Sequence, residues 1–116
     1  DATQIQNGKL LFANVLQPVR DYWGRTIITS GYRNPKVNEL VGGIPTSQHM
    51  SGQAVDFYVP GHNRVKIAEW IHDNLEYDQL IIEPSWIHVS YSDFHNRKQF
   101  LIYREGKLIP YQGIHD

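Results

Sequence analysis

Apolar positions recur along this chain with two periods, and the switches between them mark its elements. Over residues 8–22, Leu10, Leu11, Val15, Leu16, Val19 and then Trp23 return at three- and four-residue steps. That spacing lays one apolar stripe along a helix. Pro18 falls inside the stripe; it lacks an amide hydrogen and crowds the carbonyl four residues back, so it should kink or interrupt the helix. The β-branched run Thr26-Ile27-Ile28-Thr29-Ser30 reads as a strand. Asn34-Pro35 has the form of an N-cap followed by proline at the first helical position, opening a short helix that ends at Gly42-Gly43. Residues 44–52 show no period and read as a loop, whereas 54–59 alternates as a strand. The strongest helical pattern is 63–75, with Val65, Ala68, Ile71 and Leu75 on one face. Strands follow at 79–83, 86–91 and 99–103, the last turning back through Glu105-Gly106 onto 108–111. The order predicts an α+β fold: a small antiparallel sheet with helices packed on one face.

Alternation also sorts side chains between the two faces of that sheet. In 54–59, Val55, Phe57 and Val59 share one face, and Ala54, Asp56 and Tyr58 the other. If Pro84-Ser85 is a two-residue turn, Glu83 faces Trp86, Ile81 faces His88 and Gln79 faces Ser90. Leu80, Ile82, Ile87, Val89 and Tyr91 then make a packed face, while Gln79, Glu83, Trp86, His88 and Ser90 lie opposite. A longer turn would pair different residues. In the two-residue register, Asp56, Glu83 and His88 all point away from the core.

Composition narrows the chemistry. The chain has 116 residues, 41% of them hydrophobic and 20% charged, which suits one globular domain over residues 1–116. Eleven basic residues against twelve acidic ones leave a net charge of −1. With no basic excess to displace counterions, a nucleic-acid partner is not expected. No apolar run is long enough to span a bilayer. The chain begins at Asp1, as a processed or trimmed product would. Cysteine is absent, so any metal must be held by His, Asp or Glu.

Taken singly, Asp56 is an ordinary strand carboxylate, and His49 and His88 are unremarkable histidines. Their grouping carries more. His49 and Asp56 are seven residues apart, a loop residue feeding into a strand, and His88 faces the same way from a second strand. Two imidazoles and one carboxylate form the ligand set of many catalytic zinc centres, which keep a fourth position open for water. Such a metal acidifies water and polarises a carbonyl, the two requirements of amide hydrolysis. His62, His72, His95 and His115 have no comparable partner spacing.

These segments have a family likeness. Ser30-Gly31-Tyr32-Arg33, then Asn38 through Gly43, then the run from Ser47 to Phe57 resemble the S-G-Y-R … S-x-H-x-x-G-x-A-x-D signature of zinc D-alanyl-D-alanine carboxypeptidases. Residues 77–83 and 86–90 resemble the second half of that signature. The chain is most similar to the short peptidase M15-like domains, in a wider group that includes VanX-type dipeptidases and phage endolysins on the hedgehog/DD-peptidase fold. The resemblance implies zinc as cofactor, with His49, Asp56 and His88 as ligands. It implies that Arg33 holds substrate or a developing oxyanion, that Ser47 supports the ligand loop, and that Gly52 permits the tight approach to the Asp56 strand. Many family members carry an acidic general base three positions before the last histidine, where this chain has Ser85. Glu83, two residues earlier and on the His88 face, is the substitute, unless it only orients His88. Trp86 is a candidate wall of the substrate cleft.

The activity so implied is zinc-dependent hydrolysis of amide bonds in peptidoglycan stem peptides, as a D-Ala-D-Ala carboxypeptidase or an L-Ala-D-Glu-type endopeptidase. The alternative is a catalytically weak or inactive zinc domain that binds peptidoglycan or serves as a structural phage component. The expected setting is the cell envelope, the extracellular space or a phage particle, and the expected working form is a monomer.

Overall fold

A computed structural model describes residues 2–30 and 53–113. The short helix expected at 34–42 and the loop at 44–52 lie outside them. The amino-terminal helix comprises α1 (Ala2–Leu11), a π-helical turn (Phe12–Leu16) and α2 (Gln17–Trp23). It begins eight residues before the first residue of the apolar stripe, Leu10, since Ala2, Gln4 and Gln6 sustain a helix without burying a face. Pro18 does not break it. The Gln17 amide donates to the carbonyl of Phe12, five residues back, and this wider turn accommodates the ring that would otherwise collide with the preceding turn. Gly24, at φ +100°, ends α2 in a conformation a side chain would strain.

The third helix, α3 (Arg64–Asn74), starts where Asn63 accepts from the amides of Val65 at 2.8 Å and Lys66 at 3.2 Å. That cap satisfies two of the donors a helix start leaves unpaired. Ile67, Ala68 and Ile71 are its fully buried residues.

Six strands form one sheet in the order β1-β2-β4-β3-β5-β6. They are β1 (Ile27–Ser30), β2 (Ala54–Tyr58), β3 (Gln79–Ile82), β4 (Ile87–Ser90), β5 (Gln99–Arg104) and β6 (Lys107–Pro110). The architecture is α+β as expected, but the sheet is mixed: β3 and β5 run parallel, and the other pairings are antiparallel. The reason lies in residues 91–98, which leave β4 and pass round the start of β3 to its other side. Asp78 fixes that link by accepting from the backbone amide, Nε and Nη2 of Arg97 at 3.1, 2.8 and 3.0 Å. Glu105 (φ 52°) and Gly106 (φ 79°) make the turn between β5 and β6, the left-handed pair that suits a two-residue hairpin.

One face of the sheet is covered. Val55, Phe57, Leu80, Ile82, Ile87 and Val89 pack against Leu11, Val15, Val19, Ile67 and Ile71 in one buried cluster. Each such side chain contributes about 1.5–3 kcal/mol relative to exposure. The helices take this face, so the other one is left for chemistry.

Candidate metal centre

The geometry of the candidate site follows from strand register. Ile81 pairs with His88 and Ile82 with Ile87, and the Glu83 amide donates to the Trp86 carbonyl at 3.0 Å. Pro84-Ser85 is therefore the two-residue connection that places Glu83, Trp86 and His88 on the open face. On the next strand, Asp56 pairs directly with His88 and Val55 with Val89. The alternation that buries Val55 and Phe57 consequently turns Asp56 towards His88.

The two side chains meet. His88 Nδ1 lies 3.0 Å from Asp56 Oδ1, with the side chains only 15% and 17% exposed. Ligand atoms on two corners of a zinc tetrahedron lie ~3.3 Å apart, given bonds of about 2.0–2.1 Å. A neutral imidazole and a carboxylate at this separation fit such a metal in donor type and spacing. Thr29 Oγ1 donates to the Asp56 carbonyl at 3.2 Å, tying the edge strand β1 to the ligand strand.

Glu83 completes the described part of the site. Burial pushes its carboxyl above the ordinary glutamate range; His88 opposes that shift and Asp56 adds to it. The Glu83 carboxyl is thus within electrostatic reach of both His88 and Asp56. Arg64, the first residue of α3, donates from Nε to the Glu83 carbonyl at 2.7 Å. The turn carrying Glu83 is thereby tied to the helical layer. No local sequence pattern marks that bond, since its partners are nineteen residues apart.

Trp86 is half-buried on the same face. Ser90, expected there too, is completely buried, and its hydroxyl accepts from the Gln79 amide at 2.9 Å. His72 is partly buried, with Nδ1 2.6 Å from the Tyr77 hydroxyl. Arg33, Ser47, His49 and Gly52 lie outside the described residues. Among the described residues no group of three or more His, Cys, Asp or Glu is placed to hold a metal; a metal at Asp56 and His88 would need a further ligand from elsewhere in the chain. Among the described residues, too, no helix is long and apolar enough to cross a membrane.

No curated protein matches the chain. A family model described as Peptidase M15 matches residues 1–90, which takes in β1 to β4 and stops before β5. The match extends over more than three quarters of the 116 residues and ends on the strand that carries His88, so this chain belongs to the Peptidase M15 family.

Proposed function

We propose that this chain is a zinc-dependent peptidase that hydrolyses amide bonds in peptidoglycan stem peptides, with His49, Asp56 and His88 as the metal ligands. The observation that carries the reading is the 3.0 Å approach of His88 Nδ1 to Asp56 Oδ1, with Glu83 close enough to feel both. When bound, zinc supplies the Lewis acidity that polarises a carbonyl and acidifies water.

The chain's own groups do the rest. Asp56 and His88, fixed on paired strands, hold their donor atoms in place without reorganisation at each turnover. The Glu83 carboxylate takes a proton from the attacking water and returns it to the departing amine nitrogen, and its raised affinity for protons suits both transfers. Arg33 offers a permanent charge and a planar fork of donors to the substrate carboxylate or to the oxygen that gains charge. Ser47 and Trp86 contribute to the walls of the cleft.

Digestion of defined muropeptides by zinc-loaded protein, read by mass spectrometry, tests this. Cleavage at a stem-peptide amide is expected, with one zinc per chain that is lost on His49→Ala or Asp56→Ala. A fully folded protein that takes up no zinc would end the proposal. Ser85, exposed in the turn at the position where relatives carry their acidic base, favours a second reading, a zinc domain that binds peptidoglycan without cutting it. Stoichiometric zinc with no cleavage of any muropeptide would select that one.

A further inference from the structure

The strand beside the metal pair is irregular at one residue. Ile27 faces Tyr58 and Ile28 faces Phe57, but the next partner along β1 is Ser30, opposite Asp56. Thr29 is left between them with no partner in the register to β2, which is the pattern of a β-bulge. Had the pairing continued evenly, Thr29 itself would stand opposite Asp56. Bulges bend the strand that carries them and re-aim the side chains beside them. This one falls on the pair that contains the carboxylate of the candidate site.

Thr29 spans the break that it creates. Its Oγ1 donates to the Asp56 carbonyl at 3.2 Å. A side chain branched at Cβ has a restricted χ1, so the hydroxyl is held in place rather than left to rotate. Asp56 is thereby gripped from two sides. Its main chain is bonded to Thr29 of β1, and its Oδ1 lies 3.0 Å from Nδ1 of His88 on β4. Among the described residues β1 is the outermost strand of the sheet, so no further strand behind it steadies this contact.

Stability is the lesser product of such a bond. Thr29 is exposed, and water replaces a hydroxyl–carbonyl bond at the surface with little net loss. Water does not replace its direction. The donor atoms of a metal site must stay within about 0.5 Å of their working positions. Groups that hold the ligands from behind provide that, and removing one typically costs roughly 10–100-fold in metal affinity.

We infer that Thr29 is a positioning residue for the proposed metal ligand Asp56, its hydroxyl locking the bulged edge strand to the Asp56 carbonyl so that the carboxylate stays aligned with His88. This rests on the proposed zinc site for the identity of the metal. It adds a determinant of metal affinity that touches neither metal nor substrate.

Zinc affinity, measured by competition with a chromophoric chelator, tests this without any turnover. Thr29→Val keeps the branched shape and removes the hydroxyl, and Thr29→Ser restores a hydroxyl without the branch. The valine variant should bind zinc about tenfold more weakly than the wild type, and serine should recover most of that loss. The metal-free melting temperatures of all three should agree. Equal affinity in wild type and valine variant, with uptake still lost on Asp56→Ala, overturns the inference and leaves the zinc site standing. A weaker valine variant that also melts lower without metal, and that serine does not rescue, marks a merely structural contact and overturns it as well. A folded wild type that takes up no zinc overturns the metal reading, and the inference falls with it.

Discussion

At Glu83, burial and the neighbouring Asp56 both favour the protonated acid, and His88 opposes them without prevailing. A carboxyl whose proton affinity is raised by folding stabilises the fold below its unfolded pKa, and that contribution is lost as pH rises through the folded value. Above the ordinary glutamate range the raised proton affinity of Glu83 therefore costs the fold stability. Glu83→Gln should lower turnover by about 10²-fold or more, yet metal-free protein carrying it should melt higher than the wild type at pH 7. The gain should vanish in acid, below the ordinary glutamate range, and a set of melting curves across pH reads it directly. In the proposed peptidase, the rate should fall on the acid side as Glu83 takes up its proton. Asp56, Glu83 and His88 could be placed on one face from strand alternation together with a two-residue turn at Pro84-Ser85. Ser90 shows where that reasoning stops, since a residue on the open face can still turn its hydroxyl back to a neighbouring amide.

Helix α3 depends on a single side chain at its start. Asn63 receives both the Val65 and Lys66 amides, so Asn63→Ala should cost about 1 kcal/mol in chemical denaturation, and Asn63→Asp much less. An alanine variant as stable as the wild type would show that water replaces the cap fully. The β-branched run at 26–30 revealed β1, whereas the period of apolar residues revealed this helix and the strand at 54–59, because burial on one face is what the period records. It did not reveal direction. Nothing in the alternation of 99–103 distinguishes a strand parallel to β3 from an antiparallel one; the path of residues 91–98 round Asp78 and Arg97 decides that. Pro18 shows the reverse limit. A rule about one residue foretold an interruption, and five residues of widened helix absorbed it.

For the molecule as a whole, a metal bridging β2 and β4 should add to global stability, because only the folded chain brings Asp56 and His88 together. Ligand present at one hundred times its dissociation constant stabilises by about 2.7 kcal/mol. Chelation should accordingly lower the melting temperature, zinc should restore it, and Asp56→Ala should be indifferent to both treatments. Equal melting curves with and without zinc in the wild type would dissociate the pair from metal binding.

The bond from Arg64 to the carbonyl of Glu83 has a mechanical consequence. The proposed ligands Asp56 and His88 hang from mid-sheet, whereas Glu83, the proposed proton carrier, is braced from the helical layer behind it. Arg64→Ala should slacken that brace alone, reducing kcat while zinc content and KM hold, and Arg64→Lys should recover part of the loss. In the proposed enzyme, metal capture and proton traffic would thus be mounted on separate struts, and one could be retuned through the back of the molecule without disturbing the other.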